Sequence, residues 1–566
     1  MSARTSSAVE DHVVLVDGRG RAAATVPKHE AHSAHTPLHL AFSCHVVDPS
    51  GAVLLTRRAA TKATWPGVWS NACCGHPQAG ESLREAVTRR LREELGASVS
   101  RLALAVPDFA YRATMDDGTV EHELCPVVIA EVLGDLDPDP VEVDAVAWVS
   151  WADLRRRHQL DRDSLSPWSV EQLDQLVELG WRPERWSTFE VGPATDDLLD
   201  RPLLAPPPSP LDEDGPRATA SVAARVRPVL ARFLHDKAGA LSAIDPALAP
   251  LVDEVRGLLD AGGKRLRPAF VYWGHRATGA DHDDAVLRAA AAVELLHTFA
   301  LLHDDVMDRS LRRRDRPTAH VTFAAQHSRD DGCGDSAWFG ISGAVLAGDL
   351  AYVWADELLD GTGLPAADVD RARSVFTTLR EEVTAGQYLD LVLAADANAD
   401  ERTARRVALL KSARYTVTRP LQIGAALAGA CDPGVDAALR VYGDSVGLAF
   451  QLRDDLLGLF GDPAETGKST LDDLREGKRT LVVLRALRLA DDRQRQVLRT
   501  ALGNPDLDEA GADAARAAVA DSGAAASVEL LLEAKHATAV AAIQGLPTAA
   551  RDALRELAAD AIRRRR

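Results

Sequence analysis

At 566 residues the chain exceeds the length over which one hydrophobic core keeps growing, so two or more domains are expected. Hydrophobic residues at 46% and charged residues at 26% are ordinary for a globular protein, while sparse aromatics (5%) beside abundant alanine, leucine and arginine favour helix. A formal charge of −19 argues against nucleic acid as a partner but leaves room for small anions in a locally basic pocket.

The N-terminal stretch "MSARTSSAVEDHVVLV" lacks the apolar core of a signal peptide, and no run reaches the roughly 18 apolar residues of a membrane span. Six cysteines without regular spacing do not read as a disulfide framework, so a reducing, cytoplasmic setting is expected. In the first part, "HLAFSCHVV", "AVLLTRR", "CPVVIAEVL" and "AVAWVSW" read as strands. Between them "SLREAVTRRLREELG" reads as a helix: Ser82 and Glu85 form a capping box, and Leu83, Val87, Leu91 and Leu95 make an apolar stripe. Six prolines between Pro202 and Pro216 rule out a helix or central strand there. The expected division is a mixed domain over 1–190, a semi-extended linker over 191–220 and an all-α domain over 221–566. Within the last, "VAARVRPVLARFL", "DDAVLRAAAAVELLHTFALLHDDVMD" and "EAKHATAVAAIQGL" are helical, and "AAQHSRDDGCGDSAWFG" reads as a polar loop.

Cys73 and Cys74 precede a Gly-His-Pro. Adjacent cysteines do not readily bond to each other, and no C-x-x-C offers a second half of a zinc knuckle, so by themselves they read as buried thiols. Their neighbours open a second reading. Gly75, Glu81, Arg89, Leu91, Glu93, Glu94 and Gly96 follow the spacing of a Nudix box, a loop and helix that hold a divalent cation beside a diphosphate, with Arg90 where the hydrolases carry a glutamate. His32, His39 and His76, with Glu121 and Glu123 two apart on a strand and so on one face, make a donor set suited to Zn2+ or Mn2+.

With "LHLAFS", "WPGVW", "CGHP", "PDF" and "SPW" in order, residues Lys28 to Trp168 resemble a type 1 isopentenyl-diphosphate isomerase. That resemblance implies that Cys74 and Glu123 face each other across a dry pocket, one giving a proton and the other removing one. It implies that Tyr111 assists and that Trp168 offers its π-face to a tertiary carbocation. It makes His32, His39, His76, Glu121 and Glu123 the metal ligands, places Glu94 at a Mg2+ bridging to the diphosphate, and makes Lys28, Arg58 and Lys62 anion-binding residues. Cys73 is then packing.

In "LLHDDVMDRSLRRRDRPT", Asp304 and Asp308 lie one turn apart with Asp305 beside them, at the end of a continuously apolar helix. Carboxylates there are costly without cations, and Mg2+ with substrate phosphates is the natural solution. "FQLRDDLLGLFGDPAETGKST" supplies Asp454 and Asp455. Lys264, Arg267, Arg313, Arg314, Lys411, Lys468 and Lys478 are the candidate diphosphate-binding cations. From about residue 222 this ordered set resembles the trans-isoprenyl diphosphate synthases, which implies an all-α bundle with an apolar cavity between the two Asp motifs.

On that resemblance Asp304, Asp308 and Asp454 hold Mg2+ on an allylic diphosphate, and the ionised allyl group alkylates isopentenyl diphosphate. Lys264, Arg267, His297 and Arg314 match positions on the isopentenyl side; Gln387, Asp390, Lys411 and Gln451 match the allylic side. Arg313, Lys468 and Lys478 lie near one diphosphate or the other. The last member of the second motif is Gly458 rather than aspartate, with Asp462 further on as a partial substitute. Phe299, five residues before Asp304 and so about 7 Å down the helix, would floor the cavity and limit the product to the twenty-carbon geranylgeranyl diphosphate.

The reading is therefore an α+β Nudix-like isomerase domain fused to an all-α isoprenoid synthase bundle. It would use Mg2+ in both domains, act on isopentenyl and dimethylallyl diphosphates, and dimerise through the synthase helices. The alternatives are a fifteen-carbon (farnesyl) synthase, a terpene cyclase, a Nudix hydrolase, or a non-catalytic synthase-like subunit supported by Gly458.

Overall fold

The computed structural model describes residues 12–18, 20–183, 198–202, 217–281, 283–314, 316–396, 398–462 and 470–563. They form two compact units. The first comprises Met1–Ser209, Leu393–Ala404 and Leu452–Ala541; the second comprises Pro210–Val392, Arg405–Gln451 and Ala542–Arg566. This division does not follow the sequence boundary at 191–220, because helices late in the all-α sequence cluster with the N-terminal sheets. Of the expected linker, 191–197 and 203–216 lie outside the described residues; Leu198 and Leu199 are buried in a core with Leu83 and Leu91, and Arg217 already opens a helix.

In the first unit two sheets share two stretches of chain. His39–Leu40 lies in one sheet and Phe42–Val47 in the other; likewise Val120–Leu124 and Val127–Leu133. Both stretches change sheet at a short break, where Ala41 N donates to Leu124 O at 2.9 Å and Ser43 N to Pro126 O at 3.1 Å. The two run parallel, pairing Glu123 with His39 and Val127 with Ser43. Phe42–Val47 is buried throughout, as its near-continuous apolar run requires for a strand covered on both faces. The helix Leu83–Leu95 carries the expected capping box from Ser82 and Glu85 and ends on Gly96 in the left-handed region (φ 66°).

The second unit is built on Asp283–Met307, whose Ala290, Val293 and Leu296 are fully buried. By length and composition this helix and Ser336–Asp360 could each cross a membrane, but two-thirds of the first one's apolar window is buried inside the protein. The expected polar loop at 324–340 is shorter than read: the helix Ala319–Arg329 runs through "AAQHSR", and Asp335 caps Ser336–Asp360 by accepting from Ala337 N at 2.8 Å. Among the described residues of the later sequence, the only strands are the pair Arg312–Arg313 and Arg316–Pro317.

Two glycines allow a close helix crossing. A Cβ at Gly274, on Leu266–Ala277, would collide with Leu421 O, and one at Gly424, on Arg419–Ala426, would collide with Val271 O. Backbone cannot swing aside as a side chain can. Gly424→Ala is therefore expected to destabilise the second unit by about 3 kcal/mol, the upper end for an overpacked core, measured as a fall in the urea midpoint followed by helical circular dichroism.

Candidate active sites

Strand alternation separates the two cysteines. Cys73 is buried with Phe42, Leu83 and Leu91, whereas Cys74 packs beside Tyr111 and Trp168. Asn71 Nδ2 donates to Cys74 Sγ at 3.2 Å, and Ser43 Oγ lies 3.3 Å from it. Burial pushes the Cys74 thiol up to about 11, against the pull of those two hydrogen bonds, so it carries its proton at neutral pH. Trp168 is fixed by its ring N–H, which reaches Ser70 Oγ and Asn71 Oδ1, each at 3.0 Å. Its ring lies 5.7 Å from that of Tyr111, and the Arg58 guanidinium stands 5.5 Å over its face.

Across the strand pair, Glu123 lies in register with Tyr111 on one side and His39 on the other. One ligand atom each from His32, His39, His76 and Glu123 falls within 4.8 Å of all the others. His39 Nε2 and His76 Nε2 lie 3.4 and 3.3 Å from Glu123 Oε1. His39 Nδ1 is 3.0 Å from Pro37 O, which leaves Nε2 aimed into the group, the orientation of a metal-ligating imidazole. That buried Nε2 has no hydrogen-bond partner among the described residues. Three imidazoles and a carboxylate fit a Zn2+- or Mn2+-type ion. Glu121, expected in the same set, stands outside it and accepts from Tyr111 Oη at 2.7 Å; the same hydroxyl is 2.9 Å from Glu123 Oε2. Burial works to raise the Glu123 carboxyl, but His39 and His76 outweigh it and hold it well below the usual range. Glu121 is raised, by burial and by the neighbouring Glu123 charge.

The Nudix-like helix is wired differently from a hydrolase. Arg90 is buried, paired with Glu94 and 3.1 Å from Glu93 Oε2, so the carboxylate expected to hold Mg2+ carries an arginine partner. Lys62 pairs with Glu142, and burial draws its ammonium down to about 8. Arg58 donates to Thr64 O at 2.9 Å. Lys28 opens the short helix Lys28–Ala31 immediately before His32.

In the second unit three elements bring Asp304, Gln387, Asp390 and Lys411 together. Asp304 Oδ1 accepts from Gln387 Nε2 at 3.1 Å and lies 3.7 Å from Lys411 Nζ, which bonds Asp390 Oδ2 at 2.7 Å. Burial alone would lower the Lys411 ammonium, but Asp390 and Asp304 outweigh it and raise it. Asp305 is not displayed with its neighbours: it is 2% exposed and accepts from Arg313 Nε at 2.5 Å, while Asp308 lies exposed one turn beyond Asp304.

Lys411 sits on a π-helix, Ala408–Thr418, a rare form that collects at functional sites. The same element supplies Tyr415 and Thr416, which sequence reading did not single out. Tyr415 Oη is 3.1 Å from His297 Nδ1, its ring lies 4.5 Å below the Arg267 guanidinium, and Thr416 Oγ1 accepts from Arg267 at 2.9 Å. Burial, then Arg267, Arg314 and Arg313, hold His297 neutral, marking a clustered basic pocket; Lys264 lies in the turn before Arg267. Arg314 (φ 49°) donates to Gly262 O. No local signal in "ALLKSARYTVT" distinguishes π from α.

The second motif ends the helix Pro433–Phe460, where Asp455 is buried and Asp454 half-buried, with Gln451 one turn earlier. A Cβ at Gly458 would strike Asp473 Oδ2, so the Asp473 carboxylate fills the place of the missing third side chain. Asp462 is exposed. Lys478 bonds Asp473 at 2.8 Å and Glu476 at 2.9 Å, whereas Lys468 lies outside the described residues. Phe299 packs against His303 and Tyr352, with ring centroids 4.7 and 4.9 Å away.

The NUDIX domain profile matches residues 37–169 and the Polyprenyl synthetase profile residues 250–519. The Isopentenyl-diphosphate Delta-isomerase of Cutibacterium acnes is 51% identical over 174 residues, 30% of this chain and 87% of its own length. The crystal structure of geranylgeranyl pyrophosphate synthase from Corynebacterium glutamicum, complexed with isoprenyl diphosphate and magnesium, is 36% identical with a TM-score of 0.58. The match covers 61% of this chain and 99% of that one. A polyprenyl synthase from Caulobacter crescentus, complexed with calcium and isoprenyl diphosphate, is 32% identical with a TM-score of 0.53 over 64% of this chain and all of its own. The chain thus belongs to two families in tandem, the Nudix-fold isopentenyl-diphosphate Delta-isomerases through its N-terminal part and the polyprenyl synthetases through the helical sequence that follows.

Proposed function

We propose that the chain is a bifunctional enzyme that converts isopentenyl diphosphate into dimethylallyl diphosphate and condenses the two head-to-tail, ending at the twenty-carbon geranylgeranyl diphosphate. The observation that carries the reading is the co-occurrence in one chain of the Cys74–Tyr111–Glu123–Trp168 pocket and the Asp304–Gln387–Lys411 cluster.

In isomerisation one of Cys74 and Glu123 adds a proton to the terminal methylene of the substrate. The resulting tertiary cation lies against the π-faces of Trp168 and Tyr111, and the other residue removes a proton from the adjacent CH2. The two residues exchange roles in the reverse direction. Asn71 and Ser43 orient the thiol, and Tyr111 orients the carboxylate. His32, His39, His76 and Glu123 would hold a divalent ion, whose chemistry when bound is to supply positive charge that fixes the carboxylate. In condensation Asp304 and Asp308 would hold Mg2+. Lys411, Gln387 and Arg313 steady the allylic diphosphate as its C–O bond breaks, and the Arg267–His297–Tyr415 group receives isopentenyl diphosphate. Phe299, backed by Tyr352, stops chain growth.

A second copy of the chain would cover the exposed face of Ser336–Asp360, where Trp338, Leu346 and Val353 project from one side of the helix.

Purified chain given isopentenyl diphosphate alone with Mg2+ is expected to make a twenty-carbon diphosphate, identified by mass. Cys74→Ala should yield none until dimethylallyl diphosphate is added; silence after that addition would sink the synthase assignment. Phe299→Ala should shift products to chains longer by at least one five-carbon unit, and an unchanged product would remove Phe299 as the floor. Leu346→Glu with Val353→Glu is expected to convert a dimer into a monomer in sedimentation velocity.

A further inference from the structure

The first unit holds a second buried polar centre, where the isomerase domain meets helices Leu481–Leu489, Glu509–Asp521 and Ala524–Ala542 of the synthase sequence. Arg485 is 2% exposed and Asp108 5% exposed. Arg485 Nη1 lies 2.9 Å from Asp108 Oδ2 and donates to Ser527 Oγ at 2.6 Å, while its Nε donates to Glu401 Oε2 at 3.0 Å. Ser527 Oγ in turn donates to the backbone carbonyl of Asp108 at 2.7 Å. One turn along the helix, Arg488 bonds Glu401 at 2.7 Å, Glu171 at 3.0 Å and the carbonyl of Ala110 at 3.3 Å. His122 sits between Glu121 and Glu123 but faces the other way, and its Nε2 meets the carbonyl of Ser522 at 3.0 Å. The fit is close, for a Cβ at Gly18 would overlap Ala520 Cβ at 2.5 Å.

Each anchored element carries part of the isomerase pocket. Asp108 and Ala110 flank Phe109 and lead into Tyr111, Glu171 is one turn from Trp168, and His122 lies inside the Glu121–Glu123 pair. Two of these bonds end on the carbonyls of Asp108 and Ala110, so they act on the chain that leads into and opens the strand Ala110–Thr114. A buried arginine between two carboxylates adds little net stability, because desolvation offsets the attraction. What such a centre can supply is placement, and about 1 Å of misplacement can cost a hundredfold in rate.

We infer that the synthase helices serve as a positioning platform for the isomerase site, with Arg485 as its central positioning residue, so that isomerisation by this chain depends on the domain fused to it. The inference rests on the isomerase reading above.

The test uses the full-length chain and follows dimethylallyl diphosphate formed from isopentenyl diphosphate. Arg485→Met is expected to lower kcat about tenfold with KM held within about twofold, the signature of an interaction felt in the transition state rather than in binding. Arg485→Lys, which keeps the charge but loses the planar fork, should recover part of that loss. Should Arg485→Met fail to fold, Ser527→Ala, which removes the bond to the Asp108 carbonyl and the one accepted from Arg485 but leaves the Arg485–Asp108 and Arg485–Glu401 pairs, is expected to lower kcat about threefold. A folded Arg485→Met, or a folded Ser527→Ala in its place, with kcat and KM both at the parental values overturns the inference alone. A parental chain that never isomerises overturns the functional reading and this inference together.

Discussion

Glu123 is a buried carboxylate, and such a group keeps a charge only where other groups hold it. Imidazole nitrogens of His39 and His76 lie 3.4 and 3.3 Å from one of its oxygens and the Tyr111 hydroxyl meets the other. The geometry of the isomerase pocket follows from that requirement. His39 arrives on the strand paired with Glu123, His76 just past the end of the strand Cys73–Gly75, and His32 at the C-cap of the short helix Lys28–Ala31. Cys74 faces the same pocket only because alternation turns Cys73 away into the packed core.

The synthase unit meets the same difficulty with carboxylates at the end of an apolar helix. Its answer is cationic: Arg313 holds Asp305, and Lys411 spans Asp390 and Asp304. One π-helix carries Lys411 toward Asp390 and Asp304, and Tyr415 and Thr416 toward His297 and Arg267. Gly443 and Gly447 let Pro433–Phe460 approach it closely: a Cβ at Gly447 would collide with Ala413, and one at Gly443 would lie 2.6 Å from Thr418 Cα.

Fusion has a structural expression beyond a tether. A proline-rich linker alone would raise effective concentration and nothing more. Within the first unit, however, Ala534 joins the core formed by Leu83, Leu91 and Leu95, and Arg201 pairs with Glu533 at 2.6 Å. Late helices of the synthase sequence are thus part of the packing of the isomerase domain.

Much of this was legible in the residues alone. The Ser82 capping box, the Gly96 terminus and the stripe of Leu83, Val87, Leu91 and Leu95 are local, governed by contacts within one or two turns, so the helix could be read directly. The i, i+2 spacing of Glu121 and Glu123 likewise determined that both would share a face. What only the tertiary structure decided was register across long separations: that Glu123 would meet His39, that Glu121 would fall outside the histidine group, that Arg90 would claim Glu94, and that Asp473 would fill the space at Gly458. Those pairings depend on which strands and helices cross, and on how far backbones can approach before they collide. No window of neighbouring residues carries that information.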